Sequence, residues 1–265
     1  MKKSSSVLLN TKNAEKHLLK IVIYSFLYCL LSILISLWIL PDYSSILAIF
    51  LTIFPSIYII EKALIIEEKR DKSNANEKRI LKGHAKLIKL LLSIFLGFLI
   101  AFTLVSIVLP TDTVNKIFDA QKNSISVLTA NAVSNSGSLS LILQKNLKVF
   151  LVSLIFAAFY GAGVIFILAW NASIMGFVIG TSAVNKFGLQ SLPALLIKYF
   201  IHGIPEMLAY FGAALAGGII FIAFLKQDYK TNMKKISFDI LIVLGLSILT
   251  LLIAALIEVY ITPLI

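Results

Sequence analysis

The feature that most narrows the choice of fold is a series of blocks, most close to 20 residues long, that hold almost no charged side chains. A bilayer hydrocarbon core roughly 30 Å thick is crossed by about 20 apolar residues at the 1.5 Å rise of an α-helix. Ile21 to Leu40, Ser44 to Ile60, Leu87 to Leu109, Leu147 to Ala169 and Phe238 to Ile261 are blocks of this kind. Charged residues make up 14% of the chain and hydrophobic ones 59%, against about a quarter charged in a soluble domain. That balance excludes a cytosolic enzyme and a disordered chain. The expected fold is all-α: a polytopic transmembrane helical bundle embedded in the cell membrane, with lipid as its first partner.

The pattern predicts about seven spans. Ile21 to Leu40 follows a tail bearing Lys2, Lys3, Lys12, Lys16 and Lys20, and it lacks the short core and small-residue site of a cleaved signal peptide. Pro41-Asp42-Tyr43 reads as a turn that makes a hairpin with Ser44 to Ile60. Ala172 to Phe187 is marginal, because sixteen residues reach only about 24 Å as a helix and Gly176, Gly180 and Asn185 interrupt it. Ser191 to Leu225 is too long for one straight span, and His202-Gly203-Ile204-Pro205-Glu206 divides it; a discontinuous helix with a span starting at Pro205 is expected.

Basic residues resist translocation, so their distribution reports orientation. Eighteen of the 24 lie in the N-terminal tail, in Glu61 to Lys89 and in Lys226 to Lys235. Alternation places all three on the cytoplasmic side only if the marginal span crosses. The N-terminus is then cytoplasmic and the C-terminus external. The net charge of +11 thereby becomes a topology signal, and nucleic acid is not an expected partner. Residues 1–60 form a tail and hairpin, 61–86 a charged cytoplasmic linker, and 87–265 the main membrane domain. Its external stretch, 111–143, carries Val114, Ile117, Phe118, Ile125 and Leu128 at helical spacing behind Asp112 as an N-cap, which predicts an amphipathic helix lying on the outer surface or covering the bundle.

Small residues mark where helices pack closely in lipid. Ser153, Ala157 and Gly161 recur every fourth residue, Gly176 and Gly180 form a GxxxG, and Ala209, Ala213 and Gly217 continue the theme. Packing of these second-half spans against one another is the expected use; homo-oligomerisation through them stays open. Ionisable groups at membrane depth are costly, so His202 and Glu206 are the polar pair to weigh, either as an ion, proton or substrate site or as a cap and hydrogen-bonded pair that fixes the helix break. Glu258 and Asp239 sit near the ends of the last span and are read as interface-facing charges. His17 and His84 belong to cytoplasmic segments, so no zinc site with His202 is expected. No HExxH, GxSxG, phosphate loop or CxxC is present, and Cys29 is the sole cysteine. No catalytic residue, cofactor or metal is therefore expected, and the chain is not read as an enzyme.

The run His202-Gly203-Ile204-Pro205-Glu206, followed by Ala209 and Gly212-Ala213-Ala214-Leu215-Ala216-Gly217-Gly218, resembles the stage II sporulation protein M family, whose signature is His-Gly-x-x-Glu opening an Ala/Gly-rich span. Asn146 resembles that family's Asn at a span start, Gly161 and Gly163 its mid-span glycines, and Trp170-Asn171-Ala172 its hairpin turn before Gly176. Where the family commonly has Pro before the His and after the Glu, this chain has Ile201 and Met207-Leu208, and Ala172 replaces the usual Gly. The resemblance spans about Ala85 to the C-terminus, so the first hairpin looks like an addition. It implies a non-enzymatic polytopic scaffold that, in endospore formers, recruits septal peptidoglycan hydrolases; here the expectation is a scaffold or assembly factor for protein partners of unknown identity. The alternative is an ion-coupled permease or channel built on the His202/Glu206 break.

Overall fold

The computed structural model describes residues 18–57, 77–125, 139–160, 164–225 and 229–264, and these are almost wholly helical. The order is α1 Leu18–Ile39, α2 Pro41–Ile57 opening with a 3-10 turn, α3 Glu77–Val108, α4 Thr111–Ile117, α5 Leu139–Tyr160, α6 Val164–Ser182, α7 Leu192–Leu225 and α8 Tyr229–Tyr260, closed by a 3-10 turn at Thr262–Leu264. Six helices are long and apolar enough to cross a membrane, and α2 is a shorter apolar one. The protein is thus an all-α, multi-pass membrane bundle. Most of the linker expected at 61–86, the centre of the stretch expected to be external at 111–143, and Gly161 and Gly163 lie outside the described residues.

Three expectations about boundaries are corrected. Trp170-Asn171 is not a turn, because the helix runs through it from Val164 and, with a π turn at Ala183–Phe187, forms a 23-residue apolar stretch from Ile165. Asn171 spends its amide on the Ile167 carbonyl of its own helix at 2.8 Å, so a polar residue that suggests an end is accommodated inside. The short apolar helix is α2, and the stretch read as marginal is long enough to cross. The real stop comes at Gly188, whose φ of 80° is a backbone state that suits glycine.

Second, the helix expected to break at Pro205 is continuous across 34 residues. Proline removes only its own N–H from the ladder, and neighbouring helices make such a loss tolerable inside a membrane bundle. Glu206 consequently sits mid-helix instead of at a helix N-terminus. Third, Asp112 does not cap α4; Pro110 occupies that position and Asp112 stands in the first turn, where a carboxylate still favours the helix dipole.

The four most extensive helix contacts are α7 with α8, α5 with α7, α1 with α3 and α3 with α6. A glycine lies in each. A Cβ at Gly97 on α3 would come 2.7 Å from the Ser25 Cβ on α1, and one at Gly176 on α6 would come 2.7 Å from the Phe102 Cβ on α3. One at Gly217 on α7 would come 2.8 Å from the Ala157 Cβ on α5, and one at Gly212 would meet Ser247 on α8. The GxxxG of α6 therefore packs on Phe102, Thr103 and Ser106 of α3, not on the other small-residue stripes as the sequence suggested. Ser153, Ala157, Ala213 and Gly217 do lie together, between α5 and α7.

These contacts also give direction. Residue number rises together along α3 and α6, and along α5 and α7, which are parallel pairs; α7 and α8 are antiparallel. Outward faces are apolar, as lipid requires: Leu241, Leu246 and Leu249 on α8, and Leu31, Leu34 and Trp38 on α1. Gly176→Leu forces α3 and α6 apart and should cost about 1–3 kcal/mol of stability. Gly245→Ala, at a position whose added Cβ meets nothing within 4 Å, should change stability by no more than about 0.5 kcal/mol. Thermal unfolding of the two purified variants in detergent checks both.

Candidate functional site

Polar side chains inside an apolar bundle need partners from the protein itself, and here they find them across helices. On α7, Tyr199, His202, Glu206 and Tyr210 follow one another at intervals of three or four, so they share a face. That face looks toward α5 and α8. From α5, the Asn146 side-chain amide donates to Glu206 Oε1, and Asn146 is only 3% exposed. From beyond the end of α8, Thr262 meets His202 Nδ1 at 3.0 Å, while its hydroxyl also reaches the Ile257 carbonyl. The Tyr199 ring stands 6.1 Å from the His202 ring. Glu258 on α8 lies against Glu206. Asn146 falls about 10 Å along α5 from its outset, and Glu258 lies within a turn of the end of α8. The cluster thus occupies one end of a three-helix unit.

Of the residues singled out from sequence, His202, Glu206 and Asn146 come together, and Gly203 and Pro205 belong to the same stretch of α7. Gly203 is buried beside Met175 of α6. Gly176 and Gly180 on α6, Ala213 and Gly217 on α7, and Asn171 on α6 stand apart from it and serve packing or their own helix. His202 and Glu206 do not pair with each other; each is engaged by a different helix.

A second polar centre, which sequence reasoning missed, lies under the stretch that begins with α4. Val114, Ile117, Phe118 and Gln121 form the buried face of α4 and the helical turns after it, as the apolar spacing predicted for the first three. Phe118 rests on Phe102 at 5.8 Å and on Phe177 at 5.1 Å between ring centres. Gln121, 1% exposed, accepts from the Ser45 hydroxyl at 2.7 Å and donates to the Ser173 hydroxyl at 3.0 Å. The Ala120 N–H donates to the same Ser45 at 3.2 Å. One buried amide thereby joins α2, the helical turns after α4 and α6. The legible signal was its position: Gln121 falls three residues after Phe118 on the apolar stripe.

Among the described residues no group of three or more His, Cys, Asp or Glu could hold a metal ion. The arrangement is suited to bracing helices and to interacting with small charged species. Asn146→Leu leaves a Glu206 oxygen without its donor and should cost about 1–3 kcal/mol. Asn171→Leu loses only a bond to an already helical carbonyl and should stay within about 0.5 kcal/mol. Matched thermal melts of the two variants separate them.

No curated protein and no solved structure matches the chain. A family model does: that of Stage II sporulation protein M, over residues 87–263, which takes in α3 from Leu87 through α8 and both polar centres apart from Ser45. That match covers well over half of the chain, and the protein therefore belongs to the stage II sporulation protein M family.

Proposed function

We propose that this membrane protein is a non-enzymatic scaffold or assembly factor for membrane or cell-envelope partners. The observation that carries the reading is how the interior polar groups are used. Glu206 is bound by α5, His202 by the turn after α8, and Gln121 by both α2 and α6. Such cross-helix bonds hold helices in one arrangement, which is what a platform for other proteins requires. Family membership supports the same role. The surface such a platform offers outside the lipid includes the exposed side of the outer stretch, with Asp112, Lys116, Asp119 and Lys122.

The proposed orientation has the N-terminus in the cytoplasm and the C-terminus outside. It is supported by the bias of basic residues, and the helix directions agree with strict alternation of spans, which makes α3 and α6, and α5 and α7, parallel pairs whichever end is inside. Lys116 then lies outside and Lys234 inside. Cys29 is fully buried, so the wild-type background to thiol labelling should be low. An impermeant thiol reagent on intact cells should label Lys116→Cys and leave Lys234→Cys unlabelled until the membrane is opened; the reverse pattern inverts the orientation.

The scaffold role is tested by a photo-crosslinking residue placed at Lys116 in native membranes. A reproducible protein adduct that vanishes when the crosslinker is moved to the lipid-facing Leu246 is the expected result. Protein that stays monomeric and gives no specific adduct from any exposed outer position contradicts the reading.

A further inference from the structure

Two contacts set the register of α7 against α8: His202 with Thr262, and Gly212 with Ser247. The helices are antiparallel, so one turn forward from His202 faces one turn back from Thr262. Those positions are Glu206 and Glu258, and the two carboxyls do lie against each other. Two carboxylates side by side in an apolar bundle repel strongly unless a positive charge joins them. Acidic neighbours alone would not make a site, but a second group points into the same place. Tyr210, one turn further along α7, is 2% exposed, and its hydroxyl makes no hydrogen bond among the described residues. Helical side chains lean toward the helix N-terminus, so the phenol reaches back over the Glu206 turn, within electrostatic range of both carboxyls.

We propose that the oxygens of Glu206, Glu258 and Tyr210 form a binding site for one small positive charge, a proton or a sodium-sized cation. The donors are all hard oxygens, which suits such an ion and not a thiophilic or imidazole-seeking metal. His202 stands aside, because its Nδ1 is engaged by Thr262. Asn146 orients the Glu206 carboxyl from the α5 side. The other charged and titratable groups near the cluster are Lys145 on α5, which is exposed, and Lys198, Tyr199 and His202 on α7. Lys145 is the protein's own counter-charge and competes with the bound ion from the solvent side. The site does not depend on the scaffold reading: an ion here ties α7 to α8 whatever the bundle presents to partners.

The test uses the purified full-length protein in nanodiscs, melted in sodium chloride, potassium chloride or choline chloride at equal ionic strength, in mildly acidic and mildly alkaline buffer. If a metal cation fills the site, alkaline wild-type protein melts higher in sodium than in choline and the gap closes in acid, where protons compete. If a proton fills it, the three salts give the same melt and stability falls as the buffer becomes alkaline. Glu258→Gln removes one of the two like charges while keeping a polar side chain, and it should abolish whichever dependence the wild type shows. Tyr210→Phe, which keeps the ring and its packing, should weaken a metal dependence several-fold in midpoint concentration and serves if Glu258→Gln does not fold. A wild-type protein indifferent to both salt and pH, or a dependence retained unchanged in both variants, overturns the proposal.

Discussion

The bundle depends on close approach of helix backbones at a few glycines. Lipid tails are as apolar as leucine side chains, so helices in a membrane gain little from hiding hydrophobic surface from each other. What remains is dispersion between closely fitted surfaces, which falls off steeply when a gap opens. Each of the four main helix contacts passes through such a point: Gly97 between α1 and α3, Gly176 and Gly180 between α3 and α6, Gly217 between α5 and α7, and Gly212 between α7 and α8. The rest of the architecture follows from those contacts. They divide the bundle into one group around α3 and another around α7, and they bring the polar side chains of separate helices within reach of one another.

Polar bonding is the second layer of organisation. Glu206 with Asn146, His202 with Thr262, and Gln121 with Ser45 and Ser173 each link elements far apart in sequence. The Gln121 centre also joins the hairpin of α1 and α2, which precedes the family match, to the matched domain. Gly97 does the same from the opposite direction, since its neighbours Val22, Ser25 and Phe26 are all on α1. The hairpin is therefore integrated into the bundle through the Gly97 contact, the buried Gln121 amide and apolar packing such as Phe50 on Phe166, even though it lies outside the part of the chain that identifies the family.

Membrane character and most span positions were readable from the chain because length without charge is a local property. The His202 to Glu206 face was readable for the same reason: a spacing of four is a fact about one helix. Where the reading failed, local signals were overridden by neighbours. Pro205 reads as a break, yet α7 continues because packing on α5 and α8 supports the turn that lacks one hydrogen bond. Asn171 reads as a turn, yet it bonds within its own helix. Glu258, read as a charge near the end of the last span, does lie half-exposed within a turn of the end of α8, and what only the antiparallel register adds is its place beside Glu206.

By itself, the sequence determined an all-helical membrane bundle, its family, and the few residues polar or small enough to matter inside it, since each follows from composition over one helix length. Tertiary structure alone decided which glycine meets which helix, that Gln121 ties three elements together, and that Glu206 faces Asn146 and Glu258 instead of His202. The physical reason is that partner choice depends on the depth and rotation at which two helices lock. Those are set by steric fit between whole faces, and no single stretch of chain records them.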